Sequence, residues 1–149
     1  MSRVLVVTRN FPPLVGGMER LVCEAARALT EDHEVAVVGP EGLRQHWPSG
    51  ATVEIAHRPV WRFLWQARDR AVTLAKRFEP DLVLAGSGLA APAVLATAHR
   101  VGAKAAVLVH GLDLVARHPV YRALCLPAMR QADLILANSS NTARLATEI

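Results

Sequence analysis

Three short stretches set small or polar residues at the ends of apolar runs, where a chain can bind and react. The first is RNFPPLVGGMERLV, Arg9 to Val22, which follows the run VLVVT. Pro12 and Pro13 fix φ and keep the chain out of a helix. Gly16 and Gly17 then permit backbone angles closed to other residues, so the stretch reads as strand, shaped loop, helix. The glycine pair has two readings. Bare N–H groups at the positive end of a helix beginning near Met18 make a site for phosphate or another oxyanion, and the missing β-carbons let a ligand come close. Alternatively the glycines only make a turn.

The second stretch is GSGLAA, Gly86 to Ala91, after the run DLVLA. It matches G-x-G-x-x-A and would be a dinucleotide fingerprint in a first strand–helix unit, but it stands in a later one. No acidic residue ends the next strand, since His110 stands there and Asp113 comes only after a further turn. GSGLAA therefore reads as a tight turn into a close-packed helix, and the alternative is a nucleotide or dinucleotide-binding regulatory domain. The third stretch is VLVHGLDL, where His110 closes an apolar strand and Gly111 and Asp113 follow. A histidine there can donate or accept hydrogen bonds near neutral pH. Ala85 and Leu89 stand where a nucleophile elbow demands glycines, and neither glycine cluster leads into Lys-Ser or Lys-Thr, so a G-x-S-x-G serine and a P-loop are both excluded. Ser139, in ANSSNT, reads as a helix N-cap or a ligand contact.

The elements that must position these residues follow from periodicity. Apolar runs at Val4–Thr8, Glu34–Gly39, Thr52–Ala56, Leu82–Ala85, Ala105–His110 and Leu134–Asn138 predict strands, with helix-length segments between most of them. That alternation predicts an α/β fold, a Rossmann-like parallel sheet with helices on both faces. Helices are expected over Met18–Thr30, with Leu21, Val22, Ala25, Ala26 and Leu29 toward the sheet, and over Val60–Phe78, with Trp61, Leu64, Trp65, Val72, Ala75 and Phe78 toward it. Others are expected over Leu89–Arg100 and Pro119–Gln131, and a last one is capped by Ser139 or Ser140. Nothing ends that last helix before Ile149, which reads as the mark of a fragment or, alternatively, as a frayed helix that finishes a domain.

A chain of 149 residues with 52% hydrophobic and 20% charged residues is long and apolar enough for one domain, and excludes a disordered chain. Cys23 and Cys125 lack metal or redox spacing and are assigned to packing as free thiols. No metal site is expected. The net charge of +4 fits an anionic ligand, nucleic acid or an acidic membrane, without choosing among them. No signal-like or membrane-spanning segment is read, and the cytoplasm is the expected location, with the inner face of the membrane as a place of work. The segment Trp61–Phe78 is rich in tryptophan and arginine, with only Asp69 opposing. It predicts peripheral contact with anionic membrane, unless the aromatic stripe packs on the sheet instead.

In combination, RVLVVT, FPPLVGGMERLV, VHGLDL and ADLILANSSNTARLA resemble the N-terminal domain of the GT-B glycosyltransferases of family 4, the group 1 glycosyltransferases, along nearly the whole chain. The resemblance implies one half of a GT-B fold, in which two Rossmann-like domains face each other across a cleft. Residues 1–149 would be the acceptor-side domain, and the C-terminal nucleotide-sugar-binding domain would be absent. It implies retaining transfer of a hexosyl group to a glycan, lipid-linked or small-molecule acceptor, in cell-envelope glycan biosynthesis. No resident cofactor is implied, since the nucleotide sugar is a co-substrate, and nucleic acid is not a partner. By the same resemblance His110 contacts the transferred sugar, Gly16 and Gly17 approach donor pyrophosphate or acceptor, and Asp113 and Ser139 lie beside the cleft. The family's basic diphosphate residues and paired glutamates belong to the other domain, and Glu148 has no such partner. The chain alone is therefore expected to be inactive, completed by a donor domain joined to it or separate from it.

Overall fold

Runs of Val, Leu, Ile and Ala suit a pleated surface buried on both sides. In the computed structural model, which describes residues 2–47 and 50–149, six of them form β1 (Ser2–Val7), β2 (His33–Pro40), β3 (Thr52–Ile55), β4 (Leu82–Ala85), β5 (Lys104–Val109) and β6 (Leu134–Ala137). All pairings are parallel, in the order β3-β2-β1-β4-β5-β6. This is the expected Rossmann-like sheet, and its order reverses between β1 and β4. A crevice for ligand opens outside the carboxyl ends at such a reversal. The sequence reading carries β1, β3, β5 and β6 one residue too far. Thr8 and Asn138 still donate backbone N–H bonds to Val38 and Val109, at 3.0 and 3.4 Å, yet both residues, like His110, already belong to the loops above the sheet.

The helices are α1 (Gly17–Leu29), α2 (Val60–Phe78), α3 (Ala91–Val101), α4 (Gly111–Val115), α5 (Pro119–Gln131) and α6 (Ser140–Ala146). Their ends have local causes. Glu79 takes a left-handed φ of 53° before Pro80 and stops α2, and Gly102 at φ 70° stops α3. Pro119 opens α5 at a position that needs no N–H. Short α4 is not foreseen in the sequence. It forms where HGLDL turns back on itself and the Asp113 carboxylate accepts the His110 N–H at 2.8 Å.

At the amino edge two aspartates fix the register. Asp81 accepts the Arg3 N–H at 2.8 Å, Asp133 accepts the Ala105 N–H at 2.8 Å, and their own N–H groups return bonds to Arg3 O and Ala105 O.

The two faces of the sheet are covered unequally. On one face α1 buries Val22, Cys23 and Ala26 against Val4, Val6, Val35, Val37 and Leu84, and Cys23 replaces the expected Leu21, which is exposed. On that side no helix covers β6 among the described residues, and Leu134 and Leu136 are 50% and 41% exposed. The other face carries α2, α3 and α5, and α6 adds Leu145 and Ala146 to the same core. Cys23 and Cys125 are both buried and free, as expected.

Helix α2 corrects the sequence reading. Its buried residues are Phe63, Ala67, Ala71, Leu74 and Ala75, whereas Trp61 and Trp65 point outward. The alanines let the helix approach Leu5, Val7, Ala36 and Val38, and an indole on that side would hold it off.

This assignment is checked by urea denaturation. Phe63→Ala should cost about 3–5 kcal/mol, and Trp65→Ala no more than about 0.5 kcal/mol; the reverse order would place Trp65 in the core.

Candidate functional site at the carboxyl edge

Gly86 stands at the point where the strand order reverses. Its N–H donates to Val7 O at 3.0 Å, which holds the end of β4 to β1. A β-carbon there would lie 2.6 Å from Thr8 Cβ and 3.0 Å from Val22 Cγ1, so the position admits only hydrogen. A β-carbon on Gly88 would meet the Tyr121 hydroxyl and lie 3.1 Å from Asp113 Cβ. The two glycines of GSGLAA thus face protein, where a dinucleotide fingerprint needs them to face pyrophosphate. The tight-turn reading has the geometry.

His110 is buried directly above β5 and spans three strand ends. Its Nε2 lies 3.0 Å from Gly86 O, after β4, and its Nδ1 lies 3.3 Å from Asn138 Nδ2, after β6. A carbonyl oxygen only accepts, so Nε2 carries the hydrogen and Nδ1 accepts from the amide. The backbone of His110 is held as firmly. Its N–H donates to Asp113 Oδ2, and the Tyr121 hydroxyl donates to Asp113 O at 2.9 Å, with Asp113 Oδ1 at 3.4 Å. Burial and then the Asp113 charge push the Tyr121 hydroxyl well above its ordinary range, which keeps it a donor. Burial, again reinforced by Asp113, pushes the Cys125 thiol up to about 11, so it stays protonated and packed.

The glycine pair ends the loop that follows β1, a strand whose end is two strands from that of β5, about 9–10 Å across the sheet. Gly16 caps α1 and Gly17 is its first residue. A β-carbon on Gly17 would meet nothing within 4 Å, so this backbone faces open space. Gly16 is covered. The Glu19 carboxylate folds back over it, held by Asn10 Nδ2 at 3.2 Å, and so complements the positive end of the helix with a charge of the protein's own. An anion arriving at this loop meets Glu19 first. A hydroxyl can instead donate to it. Beside the loop an open cleft of about 490 Å³ is lined by Pro13, Val15, Gly16, Arg20, Arg27 and His46.

Of the residues singled out in the sequence, His110 and Asp113 are joined in one network, and Gly16 and Gly17 belong to a different loop, the one after β1. Ser139 caps α6, its Oγ accepting the Thr142 N–H at 3.1 Å and donating to Thr142 Oγ1 at 3.0 Å. Asn138, Tyr121 and Glu19 are members that the sequence reading missed. Asn138, directly after an apolar run in ANSS, had the same strand-end signal as His110. Among the described residues no cluster of three or more His, Cys, Asp or Glu side chains could hold a metal ion. No helix there is long and apolar enough to cross a membrane.

A model of glycosyltransferase family 4 matches residues 15–149. No curated protein sequence matches the chain. Among solved structures, HepE of Anabaena in complex with UDP and glucose superposes with a TM-score of 0.69 at 17% identity, over 99% of this chain and 41% of that one. The UDP-GlcNAc 2-epimerase of Methanocaldococcus jannaschii superposes with a TM-score of 0.67 at 12% identity, over 99% and 42%. The lipopolysaccharide outer core galactosyltransferase WaaB does so with 0.65 at 12% identity, over 98% and 42%. The chain spans about two fifths of the length of these proteins. At such identities the likeness shows the fold, which an epimerase shares with a galactosyltransferase, so the fold by itself does not choose the reaction.

The glycines separate under mutation. Gly86→Ala should lower stability by about 1–3 kcal/mol through overpacking against Thr8 and Val22. Gly17→Ala should be neutral or stabilising by up to about 1 kcal/mol. Thermal melts of the two variants check both signs.

Proposed function

The chain belongs to glycosyltransferase family 4, and from that premise we propose that it is the acceptor-side domain of a retaining hexosyltransferase. The enzyme takes a nucleotide sugar as donor and a glycan, lipid-linked or small-molecule acceptor, and works in the cytoplasm on cell-envelope glycan. The observation that carries this reading within the family is the His110 ring, held by Gly86 and Asn138 at the carboxyl edge where the strand order reverses. Asn138 is exposed, and its contact at 3.3 Å is the longer of the two made by the His110 ring. When Asn138 turns aside, Nδ1 accepts from a sugar hydroxyl instead, while the Nε2–H bond to Gly86 keeps the ring in place. Asp113 holds the His110 backbone. Glu19 and the bare backbone of Gly17 take hydroxyls of the acceptor or the sugar, a role for which the Glu19 charge suits them better than for pyrophosphate. Ser139 fixes α6 beside this edge.

The diphosphate of the donor needs cations and a partner surface, which we assign to a second, nucleotide-sugar-binding domain. The share of the neighbours' length that the chain covers supports that division. No resident cofactor enters this scheme. The dinucleotide reading of GSGLAA has no comparable support, since its glycines are packed against side chains.

Two measurements test the reading. The purified 149-residue chain should fold yet release no UDP from UDP-glucose in the presence of acceptor. Robust turnover would sink the division into two domains. With the donor-binding domain joined to it, Gly17→Val should abolish transfer at an unchanged melting temperature. His110→Ala should lower kcat by roughly 100-fold, the loss expected for a positioned polar group. Unchanged turnover with a lowered melting temperature in both variants would make both positions structural.

A further inference from the structure

The indoles that α2 turns away from the sheet do not stand alone. Trp61 and Trp65 are 71% and 67% exposed, and Val60, Val120 and Leu124 are 42%, 57% and 49% exposed. All five lie in the first turns of α2 and α5, at the same carboxyl edge as His110. Between the two helix starts runs an apolar groove of about 380 Å³, in which Val60 and Leu64 of α2 face Val120 and Leu124 of α5 across Leu89. The groove exists because α3, which lies between those helices, is preceded by the small turn Gly88–Ala90 and leaves both neighbours projecting past it.

The rim of this patch is cationic. Arg58, Arg62, Arg68, Arg117 and Arg122 are all exposed, and none forms an ion pair among the described residues. The chain carries no Asp or Glu from Arg58 to Arg68 or from Leu114 to Gln131. Exposed apolar side chains gathered at one edge mark an interaction surface. Indoles beside unpaired arginines suit the headgroup boundary of an anionic bilayer, where rings sit at the interface and guanidinium groups meet phosphate. Trp65 also lines a polar cleft with Arg68, Asp69, Thr73, Lys76 and Arg100, three cations against one carboxylate, which suits an anionic surface better than a neutral carbohydrate.

We propose that the starts of α2 and α5 form a surface that docks the domain, carboxyl edge first, on an anionic phospholipid membrane. The contact does not run along the whole of Trp61–Phe78. Lys76 and Arg77 lie some 22–24 Å along the helix from Trp61, and the outward face between them carries Asp69 and Thr73. Helix α2 thus meets the membrane end-on, with its later turns packed on the sheet. Tyr121 links the two sites, lining the groove on one side and donating to Asp113 on the other. A lipid-linked acceptor whose chain enters at the groove brings its head toward His110. That choice of acceptor rests on the transferase reading given above, whereas the docking itself does not.

Vesicle flotation tests it. At low salt the 149-residue chain should float with phosphatidylcholine vesicles that contain phosphatidylglycerol, and remain behind with phosphatidylcholine alone. Arg58→Glu with Arg62→Glu should cut partitioning by at least about 30-fold, the loss expected from removing two surface cations before the added repulsion of two carboxylates. Trp61→Ser with Trp65→Ser should cut it at least about tenfold, at an unchanged melting temperature because both side chains are exposed. Lys76→Glu with Arg77→Glu, compared at about 0.1 M salt where the Debye length is about 10 Å, should change it by less than about threefold.

Failure of the unaltered chain to float, equal binding to neutral vesicles, or an equal loss for the Lys76 and Arg77 pair would overturn the proposal. So would quenching of the two indoles by a soluble oligosaccharide without flotation, which would give the patch to a glycan. Transfer to a soluble acceptor by a two-domain protein that does not float would remove this inference and leave the proposed function standing. Flotation without transfer would do the reverse.

Discussion

One position at which only hydrogen fits governs the carboxyl edge of this sheet. Gly86 closes β4 onto β1 through its N–H, presses its Cα against Thr8 and Val22, and offers its carbonyl to His110. A side chain there would separate the two strands at the one place where their order reverses. It would also withdraw the acceptor that fixes the His110 tautomer. The crevice, the orientation of the imidazole and the approach of α1 to the sheet therefore share a single steric condition. The amino edge is held by different means, since Asp81 and Asp133 each exchange two hydrogen bonds with a neighbouring strand. Register is settled at that end by charge-assisted bonds, which frees the opposite end to carry loops with other duties.

The same economy of volume runs through the helical layer above β4 and β5. Ala90, Ala91, Ala93 and Ala98 are all buried, and Gly88 admits the Tyr121 hydroxyl and the Asp113 side chain to its surface. Small residues in the middle of the layer let α3 sink toward the sheet. The helices on either side then carry the bulk, and where α2 and α5 outrun α3 their apolar first turns have nothing to pack against. The groove is thus a by-product of close packing underneath. Its exposure costs the domain about 25 cal/mol for each Å² of apolar surface left in water, a penalty that a purely structural surface would be free to avoid with polar side chains at Val60, Val120 and Leu124.

Legibility in the sequence followed the range of the interactions involved. Elements punctuated by their own neighbours were readable: Pro119 starts α5, Glu79 and Pro80 stop α2, Gly102 stops α3, and the runs of Val, Leu and Ile give six strands in place. The face of α2 was not readable. That helix has large apolar residues on more than one side, and periodicity counts them without knowing that a sheet prefers Ala67 and Ala71 to Trp61 and Trp65. The partners of His110 were hidden for another reason. Gly86 and Asn138 lie 24 and 28 residues away in the chain and meet only through strand order. The three glycine positions looked alike as letters. Packing distinguishes Gly86 and Gly88, crowded by side chains, from Gly17, which faces open space.

The chemistry of the edge is divided in a way that bears on how transfer could be arranged. Toward β1 it is polar, with Glu19, Asn10 and bare backbone at Gly17. Toward α2 and α5 it is apolar and ringed by arginines. On the two proposals made above, a water-soluble donor and a membrane-borne acceptor differ in the same sense, and a catalyst between them would meet each on a surface of its own kind. His110 lies between the two zones, tied to the polar crevice through Gly86 and to the apolar groove through Asp113 and Tyr121. The Gly86 bond holds the ring and the Asp113 bond holds the backbone beneath it, and of the ring's two partners among the described residues Gly86 is buried and Asn138 exposed. If this edge takes its ligands as proposed, it selects them by where they can be delivered before it selects them by shape.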